Sequence, residues 1–445
     1  MVLRVSRKNP RYFEDESGKT VFLAGAHTWI NFRDYVSDGG VMMFDYSEYV
    51  RFLERRGHNF IRLWVWESPR GPLGRNLTVL WRKSPFAWPR TGPGVANDGL
   101  PRFDVEKFDE SYFQRLRERV IEAGRSGVYV AVMLFGGVDN FMARIVENGF
   151  PFDGENNING IVCSGLRAQT LLDPRVVELQ ERYIRKVIDT VNDLDNVLYE
   201  ISNEAASHSI EWQYHMISVI KRYQATKPKQ HPVGMSWVFD TYNDVLWNSD
   251  ADWIAPGKYD GFSVPPAPAP AEGRKVVIND SDHSFYFTKM KAVGHDGQRE
   301  WIWKNFTRGY NLAFMDPYLT EWPGRNVTHG MNLDTYWDVM RDSLGFARRL
   351  AERLDMGAMV PRGDLSSSDY CLACLEKGKE AVVAYLPSRE PETIDLTDCP
   401  DTFGVEWLDT RTGRFSPGDD VTGGGRRSFS HPFDRDSVLY LKNKS

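Results

Sequence analysis

Eight short apolar segments recur between about residue 20 and residue 320, and most are followed by a longer stretch with helical periodicity. This alternation is typical of repeated βα units and predicts a parallel sheet with helices packed outside it. Eight strands in a segment of this length favour a closed (β/α)8 TIM barrel over an open sheet. The predicted strands are TVFLAGA, FIRLWVW, VYVAVMLF, NVLYEIS, HPVGMSW, DWIAPG, KVVINDS and YNLAFMD.

The pattern changes near Val360 to short alternating segments separated by turns rich in Gly and Asp. A period of two residues indicates half-buried antiparallel strands, as in a small sandwich. A chain of 445 residues is also longer than one core usually serves. We therefore predict an α/β fold class, with a (β/α)8 barrel domain over residues 1–358 followed by a small all-β sandwich domain over residues 359–445.

Charge and hydropathy exclude several classes of partner. The formal net charge of -6 argues against nucleic acid and against an anionic membrane surface, because both select for clustered Lys and Arg. The longest apolar runs, such as VYVAVMLF, are too short to span a bilayer. The N-terminal segment has no hydrophobic signal core, so we expect a cytoplasmic protein unless an export signal has been removed.

Neither a metal nor an organic cofactor is predicted. Four cysteines are too few for a disulfide scaffold. Cys371 and Cys374 have the spacing of a metal-binding pair, but they lie in a predicted strand, where residues three apart face opposite sides. No Gly-rich phosphate loop stands between a strand and a helix.

Two glutamates in the segment NVLYEISNEAA need different explanations. In a (β/α)8 barrel the chemistry takes place where the strands end at their carboxyl side, while deeper residues build the core. Glu204 closes the predicted fourth strand and is the candidate acid. Glu200 lies deeper, so we expect it to be buried and paired with a cation or hydrogen-bonded.

The segment YEISNEA resembles the fourth-strand motif of the clan A glycoside hydrolases, which are retaining (β/α)8 enzymes, and GHNFIRLWVW is similar to their second strand. The resemblance implies that Asn203 is a sugar-contacting amide, that Glu204 is the general acid/base, and that Arg62 supports the nucleophile. The opening NPRYFEDESGKTVFLAGAHTWINF, together with a C-terminal sandwich, resembles the apiosidase-like group, whose small domain is labelled collagen-binding. That likeness implies a furanoside or another uncommon sugar as substrate.

Glycoside hydrolysis needs a second carboxyl group. Clan A enzymes carry a glutamate at the end of the seventh strand, and Asp280 falls at that position. Asp282 lies two residues on, on the same face if the strand continues. An aspartate reaches about 1.5 Å less far than a glutamate, so covalent attack with retention and water activation with inversion both stay open, with retention favoured.

We therefore predict a glycosidase, an O-glycosyl hydrolase that acts on a plant or microbial oligosaccharide or polysaccharide. Glu204 is its acid/base, and Asp280 is its nucleophile or base. A sugar site needs aromatic platforms and polar hydrogen-bonding groups, and the strand ends supply both kinds of residue. The predicted contacts, besides Arg62 and Asn203, are His27, Trp29, Trp64, Trp66, Glu67, Trp237, His283, Asp316 and Tyr318. The segment from Ser68 to Arg102 is predicted to be a functional loop over one end of the barrel.

Two other functions are compatible with parts of the sequence. One is a metal-dependent hydrolase of the amidohydrolase type, with ligands from NDSDH, His27 and Asp316, although that class carries His-x-His on its first strand. The other is a non-catalytic carbohydrate- or collagen-binding protein, whose sandwich would offer Trp407 and Tyr440 as its main aromatic residues. Glu204 and Arg62 favour catalysis, because a disused site has no reason to keep a buried acid.

Overall fold

The computed structural model describes residues 2–28, 31–37, 40–65, 70–72, 80–137, 149–257, 273–284, 287–318 and 335–444. Its centre is a parallel eight-stranded sheet in which the second to eighth strands each pair with the next one along the chain, and the eighth pairs with the first. The first and second strands are linked through Asn59, so the predicted barrel and all eight predicted strands are confirmed. The strands are β1 (Ala24–His27), β2 (Phe60–Trp64), β3 (Tyr129–Gly136), β4 (Val197–Asn203), β5 (Val233–Ser236), β6 (Trp253–Ala255), β7 (Val276–Asp280) and β8 (Asn311–Met315).

Asn59 closes the ring between β1 and β2. Its backbone N–H donates to the carbonyl of Ala24 at 3.0 Å. Its side-chain Oδ1 accepts from the N–H of Ala24 at 2.9 Å, and its Nδ2 donates to the carbonyl of Phe22 at 2.9 Å. One amide side chain therefore satisfies backbone groups where the first two strands meet.

Helices cover the outside of the barrel, as the periodicity predicts. They are α1 (Tyr46–Arg55), α2 (Glu110–Arg125), α3 (Pro174–Val191), α4 (Ile210–Gln224), α5 (Asp244–Trp247), α6 (Phe287–Thr307) and α7 (Asp338–Ala351). Asp45, Asp109 and Asp173 cap the first three by accepting a hydrogen bond from a backbone N–H of the first turn. Gly294, with a φ of 64°, interrupts α6. Across the described ranges, no helix is long and apolar enough to cross a membrane.

Shorter elements fill the connections. Short helices and 3-10 turns lie at Gly165–Ala168, Ser207–Ser209, Ser281–Ser284, Thr335–Trp337 and Gly363–Leu365. Short strands pair at Arg4–Val5, Phe13–Glu14 and Thr20–Val21, at Asp34–Ser37, Gly40–Met42, Arg70–Pro72 and Leu80–Ser84, and at Arg90–Val95 and Pro101–Phe103. The segment predicted as a long loop after β2 thus contains strands, and one of them pairs with a strand of the connection after β1.

The barrel interior is packed with apolar side chains below its polar residues. The inward-facing group consists of Leu3, Phe13, Leu23, Phe60, Ala131, Leu198, Trp253, Ala255, Val276, Ile278 and Ala313. Trp253 fills the space that Gly234 leaves open, since a Cβ at residue 234 would lie 1.9 Å from the indole ring. The side chains between these face outward into the core beneath the helices. Strict alternation along the strands therefore separates the two cores.

An antiparallel β region follows the barrel, as predicted. Its larger sheet comprises Val360–Pro361, Cys371–Cys374, Ala381–Leu386, Thr402–Asp409, Phe415–Pro417, Val421–Thr422 and Ser437–Asn443, and a separate pair comprises Glu392–Asp395 and Arg426–Phe429. One face of the larger sheet packs on the paired strands, and its other face joins the outer core of the barrel. Cys371 lies on the first face and Cys374 on the second, so they point apart as predicted.

Replacing Gly234 by Ala should destabilise the barrel. The added methyl group would overlap the indole of Trp253, and we expect the free energy of unfolding to fall by about 1–3 kcal/mol or more. Denaturant unfolding of the purified variant measures this. Gly404→Ala is the matched control, because this strand glycine has only ordinary contacts at 3.6 Å or more. Equal stabilities for the two variants would contradict the packing described for the interior.

Candidate active site

Arg62 of β2 is the centre of a buried polar layer at the carboxyl end of the barrel. Its Nε donates to Glu200 Oε2 at 2.9 Å, and its Nη2 contacts the other oxygen of the same carboxylate. Its Nη1 donates to Asp280 Oδ2 at 2.6 Å. Burial acts to lower the pKa of Arg62, but Glu200 and Asp280 outweigh it and raise the pKa above its usual value. The prediction that Glu200 pairs with a cation is confirmed.

His27, at the end of β1, lies against the same oxygen of Asp280 that Arg62 binds. The indole Nε1–H of Trp64 donates to His27 Nδ1 at 3.0 Å, and His27 Nε2 lies 2.8 Å from Asp280 Oδ2. An indole N–H can only donate, so Nδ1 must be the acceptor and the imidazole proton must sit on Nε2. His27 therefore donates to Asp280. Burial acts to raise the pKa of Asp280, but His27 and Arg62 outweigh it and hold the pKa well below its usual range.

Asn203 links Arg62 to His283. Its Oδ1 accepts from Arg62 Nη2 at 2.8 Å and lies 3.2 Å from His283 Nε2. A guanidinium only donates, so the amide oxygen must face it, and His283 Nε2 must carry a proton to donate to the same oxygen. Burial lowers the pKa of His283 to about 3, so the ring is neutral. Asn203 and Glu200 therefore both bind Arg62, although side chains three residues apart on a regular strand would face opposite sides.

The alternation ends because the strand ends. Strand β4 stops at Asn203, and Glu204 adopts the left-handed backbone region with a φ of 50°. This is a costly conformation for a residue with a side chain, and such conformations cluster at functional sites. The Glu204 side chain remains 14% exposed, whereas Glu200 is fully buried. The structure thus places Glu200 inside the strand and Glu204 at its open end, as expected for a structural and a candidate catalytic glutamate.

Asp282 does not continue the seventh strand. Strand β7 ends at Asp280, and a short helix begins at Ser281, so the condition under which Asp282 would share a face with Asp280 is not met. The backbone N–H of Asp282 donates to Asp280 Oδ1 at 2.9 Å. No role is predicted from the sequence for Ser281 and Ser284, the two serines of this turn. Ser281 Oγ accepts from the N–H of Met315 at 3.0 Å, and Ser284 Oγ donates to Asn279 Oδ1 at 2.7 Å.

Glu204 and Asp282 face each other across the site. Together with His283, they bring one side-chain oxygen or nitrogen each to within 4.8 Å of one another. Burial and the charge of Asp282 raise the pKa of Glu204 well above its usual range, against the opposing effect of Arg62. Burial and the charge of Asp280 likewise raise the pKa of Asp282 to about 7. Two carboxyl groups this close favour sharing a proton over both being ionised.

Trp237, which follows β5, also lines this region. Its ring centre lies 6.3 Å from that of His283 and 4.6 Å from that of Phe239. Gly257 makes room for it, since a Cβ there would fall 2.3 Å from the indole. Trp64 lies beside His27 with ring centres 5.7 Å apart. The structure thus brings both of these predicted aromatic residues to the polar layer.

Two predicted sugar contacts lie elsewhere. Asp316 is fully buried, and its two oxygens accept from Arg341 Nε and Nη2 at 2.8 and 2.7 Å. Tyr318 packs in the outer core, with ring centres 4.8 Å from Tyr49 and 4.9 Å from Phe52. Both follow the point where β8 ends, and both turn outward toward the helices. Trp29, Trp66 and Glu67, also predicted as contacts, lie outside the described residues.

The hydrogen bonds do not favour a metal at the histidines. Both ring nitrogens of His27 are engaged, Nδ1 by Trp64 and Nε2 by Asp280. Among the described residues, Glu204, Asp282 and His283 form the set whose side chains approach closely enough to hold a cation. The Nε2 of His283, however, lies 3.9 Å from Glu204 and carries the proton that is donated to Asn203 Oδ1, whereas a metal ligand must present a lone pair.

Known proteins resemble this chain in fold but not closely in sequence. No protein-family model matches the chain, and no curated protein matches its sequence. A solved structure titled a glycoside hydrolase superposes with a TM-score of 0.62 and 14% identity, over 100% of this chain and 97% of its own. A glycoside hydrolase family 5 structure from Bacteroides vulgatus gives 0.65 and 14%, over 100% and 93%. An alpha-amylase from Geobacillus thermoleovorans gives 0.52 and 10%, over 95% and 99%. These likenesses show a shared fold.

Removing one carboxylate of the facing pair should stabilise the protein above neutral pH. The folded-state pKa of Asp282, about 7, exceeds the unfolded value of about 3.9. The folded protein therefore binds this proton more tightly, and its stability falls as the pH rises between these values. We expect Asp282→Asn to raise the free energy of unfolding by about 1–3 kcal/mol at pH ~8 and by less at pH ~5.

Denaturant titrations at the two pH values measure the difference. Asp250→Asn is the control for removal of one negative charge, because Asp250 is exposed and outside the site. A destabilised Asp282→Asn variant at the higher pH would contradict the cost of ionising Asp282 in the folded protein that burial and the charge of Asp280 impose.

Proposed function

We propose that this protein is a glycoside hydrolase that uses two carboxyl groups at the carboxyl end of its barrel. The observation that carries the proposal is the partly exposed pair of Glu204 and Asp282, whose closest side-chain oxygens lie no more than 4.8 Å apart beside a buried arginine. The fold shared with solved glycoside hydrolases supports it. The charges of the site supply what hydrolysis requires, one protonated and one ionised carboxyl group.

Glu204 is the proton donor in this proposal. Its pKa is raised by burial and by its carboxylate neighbour, so it keeps a proton near neutral pH and can pass it to the leaving oxygen. Asp280, the last residue of β7, and Asp282 are the two candidates for the ionised group, and Asp280 is paired with Arg62. Arg62 itself stays charged between Glu200 and Asp280, and it stabilises the ionised partner.

The separation of the pair supports retention of configuration. Retaining glycosidases hold their carboxyl groups about 5–5.5 Å apart, and inverting ones about 6.5–9.5 Å apart to admit a water molecule. Closest oxygens within 4.8 Å correspond to the shorter spacing. The resemblance to apiosidase-like enzymes supports the finer proposal that the substrate is a furanoside or another uncommon sugar of plant or microbial polysaccharide.

The two other functions find less support in the site. A metal-dependent hydrolase would draw on His27 and Asp316, which are already engaged by Asp280 and Arg341. A sugar-binding sandwich would present Trp407 and Tyr440 to solvent, but both side chains are buried. Trp407 faces the paired strands and Tyr440 faces the barrel.

Turnover of a panel of aryl pyranosides, aryl furanosides and polysaccharides by the wild type tests the proposal, with the first anomer released identified by NMR. We expect hydrolysis of at least one glycoside with retention. Inactivity of the folded wild type on the whole panel would contradict the proposed function, and an inverted first product would contradict the retaining mechanism.

Glu204→Gln should lose activity in a way that depends on the leaving group. Without a proton donor, cleavage of an alkyl glycoside should slow by about 10²- to 10⁴-fold. Cleavage of a dinitrophenyl glycoside, whose leaving group needs no proton, should slow much less in its first step. Steady-state and burst kinetics on both substrates measure the contrast. Glu211→Gln, on the exposed side of α4, is the matched control. Equal losses on both substrates would contradict the role as acid.

A further inference from the structure

We infer that Asp282 is the nucleophile of this site, and that Asp280, which occupies the position of the usual glycosidase nucleophile, is a positioning residue. The inference rests on the proposed function and deepens it. It concerns two aspartates separated by one residue, so their different surroundings must decide between them.

Asp280 is not available to a substrate. Its side chain has no exposed surface. Oδ2 accepts from Arg62 at 2.6 Å and from His27 at 2.8 Å, and Oδ1 accepts from the backbone N–H of Asp282 at 2.9 Å. A carboxylate must bring an oxygen to the anomeric carbon before it can attack, and both oxygens of Asp280 are engaged by donors in a closed layer.

Asp282 has the opposite surroundings. It is partly exposed, and so is Glu204, which it approaches to within 4.8 Å. A sugar bound between these two carboxyl groups would contact Glu204 on its leaving oxygen and Asp282 at its anomeric carbon. The approach corresponds to the separation of about 5–5.5 Å in retaining sites. Asp282 is therefore the carboxylate that meets the geometric requirement.

The turn that carries Asp282 is held by its neighbours on three sides. Asp280 accepts from the N–H of Asp282, and Ser281 accepts from the N–H of Met315 on β8. The single hydroxyl proton of Ser284 is shared between Asn279 Oδ1 on β7 at 2.7 Å and the carbonyl of Asp280 at 2.9 Å. Nucleophiles work best when their position is fixed before the substrate binds. Asp280 therefore contributes by fixing the start of this turn on the cation at Arg62.

The reaction then follows in two balanced steps. In the first, an oxygen of Asp282 forms an ester bond to the anomeric carbon while the glycosidic C–O bond breaks and Glu204 gives its proton to the leaving oxygen. In the second, Glu204, now ionised, takes a proton from water, and the water oxygen bonds to the anomeric carbon as the ester bond breaks. Asp282 leaves as a carboxylate, Glu204 is protonated again, and the configuration is retained.

Covalent trapping in the wild type tests the assignment without any substitution. The probe carries fluorine beside the anomeric carbon and a dinitrophenolate leaving group, and its sugar is the one that the wild type hydrolyses. Trypsin should release both aspartates in the peptide of residues 276–289. Fragment ions that separate Asp280 from Asp282 locate the sugar. We expect the label on Asp282, and a label on Asp280 would overturn the inference.

Rescue by azide supplies a second test. Asp282→Gly should lose about 10³-fold or more of its activity. Added azide should restore turnover of the dinitrophenyl glycoside and give a glycosyl azide of inverted configuration, since azide attacks directly in place of Asp282. Asp280→Gly should gain nothing from azide. The reverse pattern would overturn the assignment.

The positioning role of Asp280 predicts a shift in the pH profile. Asp280 and Arg62 act on the charge of Asp282, Glu204 and His283 lie within 4.8 Å of it, and His27 contacts Asp280. The wild type should lose kcat/KM as the pH falls through about 7, where Asp282 gains a proton. Asp280→Asn removes a charge that raises this pKa, so the acid limb should move to lower pH by about one unit, with kcat lower by roughly 10- to 100-fold.

The outcomes separate the two levels of the proposal. A wild type that hydrolyses glycosides but carries the label on Asp280, or whose acid limb stays unchanged in Asp280→Asn, overturns the roles assigned to the two aspartates and leaves the proposed function standing. A folded wild type that hydrolyses no glycoside and takes up no label overturns the proposed function, and the assignment of Asp282 fails with it.

Discussion

The buried guanidinium of Arg62 is the interaction on which the site depends. An isolated charge inside a barrel would cost many kcal/mol in desolvation, and it is tolerated only when its donors are paired. Glu200 and Asp280 supply the negative charges, and Asn203 supplies a neutral acceptor. One side chain of β2 therefore fixes residues of β4 and β7 at the same depth. The polar layer lies directly above an apolar interior, so its geometry has little freedom to change.

This arrangement gives two neighbouring aspartates opposite states. Asp280 touches the guanidinium and the His27 ring and stays ionised. Asp282 faces Glu204 and feels the charge of Asp280 behind it, which makes ionisation harder. The difference arises from position in the network, because the side chains are chemically the same. Acid-assisted cleavage of a glycoside requires one carboxyl group that is protonated and one that is ionised.

The sequence predicted the parts that depend on periodicity and failed where periodicity stops. The eight strands and the pairing of Glu200 with a cation follow from repeating patterns and from the cost of a buried charge. The directions of Asn203, Asp282 and Asp316 do not, since each lies at or just beyond a strand end, where the backbone leaves the extended conformation. Asp316 turns outward because it pairs with Arg341 on α7. The sequence alone does not show that these two residues are neighbours. The segment NDSDHS did contain the signal for a turn, because Asn, Asp and Ser favour local hydrogen bonds to the backbone.

The C-terminal sheet is structurally part of the barrel's outer core, and this gives it a connection to the site. Its inner face packs on α6, where Lys304 and Arg308 lie over the ring of Tyr370, at 4.5 and 4.6 Å from its centre. Asn305, which follows Lys304 on this helix, accepts from Asn279 Nδ2 at 2.6 Å. Asn279 in turn accepts from Ser284 of the turn that carries Asp282. The strand that carries Asp280 and the turn that carries Asp282 are thus held from behind by a helix that the sheet covers. A sheet attached in this way supports the geometry of the site, because a shift of α6 would move Asn305 and strain its hydrogen bond with Asn279.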